Sequence, residues 1–318
     1  MTGVRLIDSH AHVQAGAFEA DRTAVLAAAR EAGVERLLVP GWDAASSDAA
    51  VGLAAEHDWI DAAAGIHPHD AAASSEADWA AIVRLSADPG VVAIGETGLD
   101  FDRMHSPPGA QLANLRRHLR LALDSGKPAI LHCRSAVGRR DAQDTLIDEL
   151  RAAGFGGVAA RSVFGGRPSA VLHSFSGPVD YARVALELGL AISFSGLVFR
   201  RGEEASAEVA RLVPVERLLI ETDSPYLAPP GVPRNSAAAG RAPGSGPVFS
   251  GRRNSPEWVR VTGEWLAQQR DTAPDSIGEG LVAAYDATFG AAHGAIPLAE
   301  ASVGPTVAPG RSTSRRRP

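Results

Sequence analysis

The feature that most constrains the fold is a regular alternation of short apolar runs with helix-compatible segments. Each run has the length of a strand, and an Ala- and Leu-rich stretch with helical spacing follows it. Strands that alternate with helices indicate a parallel sheet with crossover connections. Eight such units favour an α/β fold of the (β/α)8 TIM-barrel type, with a doubly wound open sheet as the alternative. The eight runs lie at 4–8, 36–39, 61–66, 91–95, 129–132, 170–173, 190–194 and 217–221.

The alternation predicts one barrel domain that spans residues 1–290. A chain of 318 residues that is 45% hydrophobic can bury the core that such a domain needs. Two stretches rich in Gly, Pro, Ser and Ala, 154–168 and 228–255, are expected to be mobile loop insertions. The tail 291–318 has no apolar periodicity, and we expect it to be disordered.

Charge and cysteine content exclude several classes of protein. The net charge of −6 argues against a general nucleic-acid coat, which needs a broad basic face, although a local basic patch remains compatible with it. No apolar stretch reaches the length of a membrane span, and the N-terminus lacks the apolar segment of a secretory signal. The single cysteine, Cys133, excludes an internal disulfide framework. We therefore expect a cytoplasmic protein with no membrane partner.

Acids and histidines concentrate at the C-terminal ends of the predicted strands. In a barrel these ends meet at one mouth, where the active sites of this fold lie. His10 and His12 are two residues apart in an extended segment, so both can reach one ion. Imidazole and carboxylate together suit Zn, Mn or Fe. The predicted metal ligands are His10, His12, Glu96, His132, His173 and Asp223.

Six groups are too many for one tetrahedral ion and suit two adjacent ions that share a carboxylate. A carboxylated lysine cannot be the shared ligand, because Lys127 is the only lysine and precedes the fifth strand. Glu96 is therefore the expected bridge. Asp8 lies deeper on the same side as the first histidine pair and is expected to support a histidine. His67 and His69 follow the third strand and are interpreted as supporting or substrate-contacting residues, whereas Cys133 is assigned to packing.

An ordered series of motifs resembles the TatD family of metal-dependent hydrolases. A lone HxH would be weak, but the full series over residues 4–289 is highly specific. The matching segments are DSHAH, GIHPH, IGETGLDFDR, ILHCR, LHSFSG, ISFSG, LLIETDSPYL and RRNSPEWV. The resemblance implies a TIM barrel with divalent ions at its mouth and, typically, deoxyribonuclease activity.

The resemblance also implies how the ligands divide. One ion would take His10, His12, Glu96 and Asp223, and the other would take Glu96, His132 and His173. His67 matches a family histidine near the site. Ser135 stands where the family commonly has an aspartate, and the two predicted insertions are longer than usual, which leaves the choice of substrate open.

The main functional hypothesis is a deoxyribonuclease in which two divalent ions (Mg, Mn or Zn) activate a water that attacks a DNA phosphodiester. Asp223 would take the proton of that water, with Glu96 between the ions. Arg134 and Arg253, in predicted loops at the mouth, are candidates for contacts to phosphate. Phe101 and Tyr226 could stack on a base, but core packing is the favoured interpretation of both. The alternative is a metal-dependent esterase, lactonase or amidase, since the same ligands serve carbonyl chemistry. A monomer is expected.

Overall fold

The computed structural model describes residues 5–233 and 252–290, and its centre is one sheet of eight strands. The strands coincide with the eight predicted apolar runs to within a few residues, except that the fourth extends further, to Asp100. The strands are β1 (Leu6–Asp8), β2 (Val34–Pro40), β3 (Ile60–Ala64), β4 (Val91–Asp100), β5 (Ala129–Arg134), β6 (Ala170–Leu172), β7 (Ala191–Phe194) and β8 (Leu218–Ile220).

All neighbouring strands are parallel, and they follow one another in chain order from β1 to β8. Beyond the ends of the outer strands the sheet closes on itself. The amide of Ser9 donates to the carbonyl of Ile220 at 3.0 Å, and the amide of Asp223 donates to the carbonyl of His10 at 2.9 Å. The TIM-barrel prediction is confirmed, and the open-sheet alternative was wrong.

Helices cover the outside of the barrel, and each predicted helical segment contains one. Asp43 and Ser75 begin two of them with reciprocal capping boxes, which satisfy amides that a helix start leaves unpaired. The helices are α1 (Arg22–Glu31), α2 (Ala44–Glu56), α3 (Glu76–Leu85), α4 (Pro108–Ser125), α5 (Asp141–Ala153), α6 (Val158–Phe164), α7 (Val179–Glu187), α8 (Ser206–Leu212), α9 (Val259–Gln269) and α10 (Pro274–Phe289).

The prediction of a mobile loop insertion at 154–168 was wrong in part, because the helix α6 lies inside it. The glycines that suggested a loop are at the ends of this helix: Gly157 precedes it and Gly165 ends it with φ 60°. Phe155 and Phe164 are buried, so the segment packs against the domain. In the 228–255 insertion, residues 234–251 lie outside the described part, as does the whole of the predicted tail 291–318.

Buried apolar strands form the core, as expected for a parallel sheet that is covered on both faces. Close packing of β4 against β5 requires a glycine at position 98. Gly98 has φ 139°, and a Cβ there would lie 1.9 Å from the carbonyl oxygen of His132. This contact brings the strand that carries Glu96 directly against the strand that carries His132.

Candidate metal centre

The structure brings the six predicted ligands together at the C-terminal end of the barrel. Parallel strands place these ends at one rim, so residues far apart in sequence converge there. His10 and His12 follow β1, Glu96 lies within β4, His132 lies within β5, His173 follows β6, and Asp223 follows β8.

One oxygen of the Glu96 carboxylate faces the first histidine pair. Its Oε2 lies 3.2 Å from the Nε2 of His10 and 3.6 Å from the Nε2 of His12. The Oδ1 of Asp223 completes this group, at 3.9 Å from the His10 nitrogen and 3.7 Å from the His12 nitrogen. These four side chains can surround one ion.

The other oxygen of Glu96 faces three further imidazoles. Its Oε1 lies 3.0 Å from the Nε2 of His173 and 3.2 Å from the Nδ1 of His132. The Nε2 of His67 is equally close, at 3.2 Å. His67, which the sequence assigned to a supporting or substrate-contacting role, therefore lies as near to Glu96 as the predicted ligands do.

The residues present fit divalent cations. Five imidazoles converge on the buried Glu96 carboxylate, and within residues 5–233 and 252–290 no Lys or Arg forms an ion pair with it. Imidazoles crowded in this way around a carboxylate that has no lysine or arginine partner are the donor set of a metal site. Some groups of side chains have ligand atoms close enough together to hold one ion. Two of these groups contain Glu96, namely His10–His12–Glu96 and His67–Glu96–His132.

Burial and the nearby charges determine the protonation of the centre. Burial lowers the pKa of His12 to about 3 and that of His67 to about 4, which keeps both rings neutral and able to bind a metal. Burial also raises the pKa of Asp223 well above its ordinary value. Burial opposes the ionisation of Glu96, but the surrounding imidazoles, above all His173, outweigh it and hold the pKa of this carboxyl well below its usual range.

Two acids that sequence reasoning left without a role orient the ligands. The Oε1 of Glu221 lies 3.1 Å from the Nδ1 of His173, so it can fix the tautomer of that ring. The Oδ2 of Asp100 lies 3.4 Å from the Nε2 of His132 and 2.7 Å from the Nε2 of His69. Glu221 was visible in the sequence as an acid at the end of the eighth strand. Asp100 lay beyond the predicted end of the fourth strand.

Asp8 links the end of β1 to the turn after β8, where the barrel closes. It accepts hydrogen bonds from the amide of Thr222 at 2.9 Å and from its hydroxyl at 2.6 Å, and a longer one from the amide of His10 at 3.3 Å. It therefore supports His10 through the backbone and positions the turn that carries Asp223. Burial raises the pKa of Asp8 to about 8.

The two arginines predicted to contact substrate are engaged elsewhere. The guanidinium of Arg253 donates to the Oδ1 of Asp21 at 2.9 Å and to the carbonyl of Ala17 at 2.7 Å, and it lies over the ring of Phe18. Arg134 donates to Asp102 at 2.7 Å on the rim of the barrel and remains partly exposed. Their contact with phosphate stays a prediction.

Comparison with known proteins shows the family of this chain. Residues 7–290 match the family described as TatD related DNase. The chain belongs to this family. Both the predicted family and the predicted activity of a metal-dependent hydrolase are confirmed.

Curated relatives and a solved structure cover most of the chain. An uncharacterized metal-dependent hydrolase of Bacillus subtilis, YabD, is 33% identical over 86% of this chain and 94% of its own length. The 3′-5′ ssDNA/RNA exonuclease TatD of Escherichia coli is 34% identical over 84% of this chain and 96% of its own. The crystal structure of YjjV, a TatD homologue from Escherichia coli, has a TM-score of 0.74 and 26% identity, and it covers 90% of this chain and 98% of that one.

In the described residues, no helix combines the length and apolar character that a membrane span requires.

Proposed function

We propose that this protein is a divalent-metal-dependent deoxyribonuclease that removes nucleotides from single-stranded ends. The observation that carries the proposal is the position of Glu96, whose two oxygens face separate groups of metal-type ligands. Adjacent ions that share a carboxylate suit the in-line displacement of a phosphodiester. The name of the Escherichia coli relative supports a 3′-5′ direction and a single-stranded substrate.

The ligand geometry supports two ions rather than one. The first would be held by His10, His12, Asp223 and the Oε2 of Glu96. The second would be held by the Oε1 of Glu96, His132 and His173, with His67 as a further candidate ligand at the same distance. Mg, Mn and Zn are the candidate metals; nitrogen-rich ligands favour Mn or Zn over Mg.

Bound divalent ions would polarise the phosphoryl group and lower the pKa of water at the site. Asp223 is the carboxylate placed to accept the proton of that water. Its side chain is 15% exposed, against 3% for Glu96 and 0% for Glu221, so solvent reaches it most easily. Glu221 holds the ring of His173 and keeps its other nitrogen aimed at the centre, and Asp100 lies 3.4 Å behind the ring of His132.

The test is nucleotide release by chelator-treated protein after addition of Mg, Mn or Zn. The substrates are single-stranded and double-stranded oligonucleotides that carry a 5′ label, beside aryl ester and lactone substrates. We expect metal-dependent shortening of the single strand from its 3′ end, lost in Glu96→Gln. Glu216→Gln, an exposed acid at the opposite end of β8, is the matched control and should retain activity.

Turnover of esters or lactones with intact DNA would overturn the proposal in favour of the alternative hydrolase. The proposal further includes a monomer and a cytoplasmic location, which size-exclusion chromatography and cell fractionation test.

A further inference from the structure

Tyr226 is unusual among the aromatic side chains of the protein. In residues 5–233 and 252–290 it is the one Phe, Tyr or Trp side chain that is exposed, with 46% of its surface accessible. Core packing, the favoured interpretation from the sequence, is therefore wrong for Tyr226. Phe101, the other candidate for base stacking, packs against the hydrophobic core.

The backbone holds Tyr226 in place beside the metal centre. Its amide donates to the carbonyl of Asp223 at 2.8 Å. Asn254 secures the same turn, because its amide donates to the carbonyl of Pro225 at 3.1 Å and its side chain donates to the carbonyl of Thr222 at 2.9 Å. The ring is thus exposed on a well-anchored turn.

A second aromatic ring lies near the same ligand. The ring of Trp42 is 5.3 Å from that of His12, and the ring of Tyr226 is 6.2 Å from it, both in edge-on arrangements. The amide of Trp42 donates to the hydroxyl of Ser46 at 2.9 Å, and its carbonyl accepts from the amide of His67 at 2.8 Å. Two rings on anchored turns therefore flank the first group of metal ligands.

Tyr226 lies beside the ligands proposed for the first ion, since its ring meets that of His12 edge-on and its amide donates to the carbonyl of Asp223. A flat apolar surface next to a phosphate-cleaving centre has an obvious ligand, the base attached to that phosphate. Stacking on an aromatic ring accepts every base, since each base has a π face.

We propose that Tyr226, together with Trp42, forms an aromatic platform that stacks the nucleobase of the terminal nucleotide. This inference rests on the proposed nuclease function and assigns residues to its preference for an unpaired end. A base inside a duplex is already stacked on its neighbours and cannot lie on the platform unless the end frays. The platform therefore selects single-stranded ends without selecting their sequence.

The experiment compares two small ligands that share sugar and phosphate but differ in the base. Isothermal titration measures dAMP and 2-deoxyribose 5-phosphate binding to the Mn²⁺-loaded protein. We expect the base to increase affinity by about 5- to 150-fold in the wild type, the range that aromatic stacking of one base provides. Tyr226→Phe, which keeps the ring, should retain this advantage. Tyr226→Leu and Tyr226→Ala, which lack a π face, should lose most of it.

Equal affinities for the two ligands in the wild type, or no detectable binding of either, would overturn the platform. So would an undiminished base advantage in both Tyr226→Leu and Tyr226→Ala. Thermal melting of each variant checks its folding, and the exposed position should leave the melting temperature close to that of the wild type.

Hydrolysis of the single-stranded oligonucleotide separates this inference from the proposed function. A base advantage without hydrolysis supports the platform and counts against the nuclease. Hydrolysis without a base advantage supports the nuclease and overturns the platform.

Discussion

Glu96 gathers five imidazoles around one carboxylate, and each of its oxygens faces a different group of them. Two of these rings are held from behind, one by a backbone carbonyl and one by a carboxylate. The Nδ1 of His12 lies 3.1 Å from the carbonyl of Pro40, and the Nδ1 of His173 lies 3.1 Å from Glu221. At this scale, function depends on ring orientation, because only a correctly aimed lone pair binds a metal.

Glu221→Gln should therefore weaken metal binding or activity by about 10- to 100-fold, the usual cost of losing a partner behind a ligating histidine. Metal titration calorimetry and kcat/KM on a single-stranded oligonucleotide measure the two effects. Glu216→Gln is again the control. Unchanged metal affinity and unchanged kcat/KM in Glu221→Gln would show that His173 does not need this carboxylate.

Cys133 immediately follows a predicted ligand, yet it is not expected to be reactive. Burial raises the pKa of its thiol to about 12, so the thiolate that reacts with disulfides is almost absent at pH 8. We expect the native protein not to react with an aromatic disulfide reagent, and the same protein to release one equivalent of chromophore in concentrated urea. Rapid reaction of the folded protein would contradict the assignment of Cys133 to packing.

At the scale of elements, α4 organises the strand ends next to the centre through a polar stripe on its buried face. Asn114 donates to the carbonyl of Ile66 at 2.6 Å, and the Nε2 of His118 accepts from the amide of Ile66 at 3.0 Å. Gln111 makes two further bonds to the backbone of Asp100. The helix thus satisfies the backbone groups of Ile66, which precedes His67, and of Asp100, at the end of the strand that carries Glu96.

His118 should make the protein sensitive to acid. Burial lowers its pKa from 6.5 to about 3, so the folded state keeps the ring neutral while the unfolded state protonates it. Its contribution is fully present above pH 6.5 and is lost as the pH falls toward 3. Between pH 7.5 and 5 this loss amounts to about 2 kcal/mol. Urea unfolding in EDTA should show a smaller loss over that interval in His118→Gln. Equal losses in the two proteins would contradict this linkage.

At the scale of the whole molecule, the centre exists because the barrel closes. Asp8 bonds across the seam to Thr222, and the turn after β8 then delivers Asp223 to histidines that follow β1. The ligands come from five strands, so the ions can bind fully only when all five are in register. Metal binding and folding are therefore coupled.

Metal should raise the thermal stability of the wild type. A ligand at 100 times its dissociation constant that binds only the folded state stabilises it by about 2.7 kcal/mol. Differential scanning calorimetry with EDTA or with Mn²⁺ should show a higher melting temperature with Mn²⁺ in the wild type and in Glu216→Gln. The increase should be largely absent in Glu96→Gln. The same increase in all three proteins would mean that the ion binds elsewhere.

Part of the candidate site could be predicted from the sequence, because the physical signals were local. Strand-helix alternation predicts the barrel, and a barrel brings its strand ends to one rim. His10, His12 and Glu96 could therefore be predicted as metal ligands from the sequence alone. Glycines at 154–168 suggested a loop because Gly-rich segments usually lack structure, but here the glycines cap α6 at both ends. Arg253 looked available for phosphate until its partner, Asp21, was located.

The sequence by itself determined the fold class, the family and the identity of the residues that could bind metal, since periodicity and motif order are properties of the chain. Only the tertiary structure decided which oxygen of Glu96 faces each group of ligands, that His67 lies as close as the ligands, and that Tyr226 is exposed. The reason is physical. Distances between strand ends, the partner behind each imidazole and the burial of each ring depend on how β4, β5 and β8 pack, which no local pattern encodes.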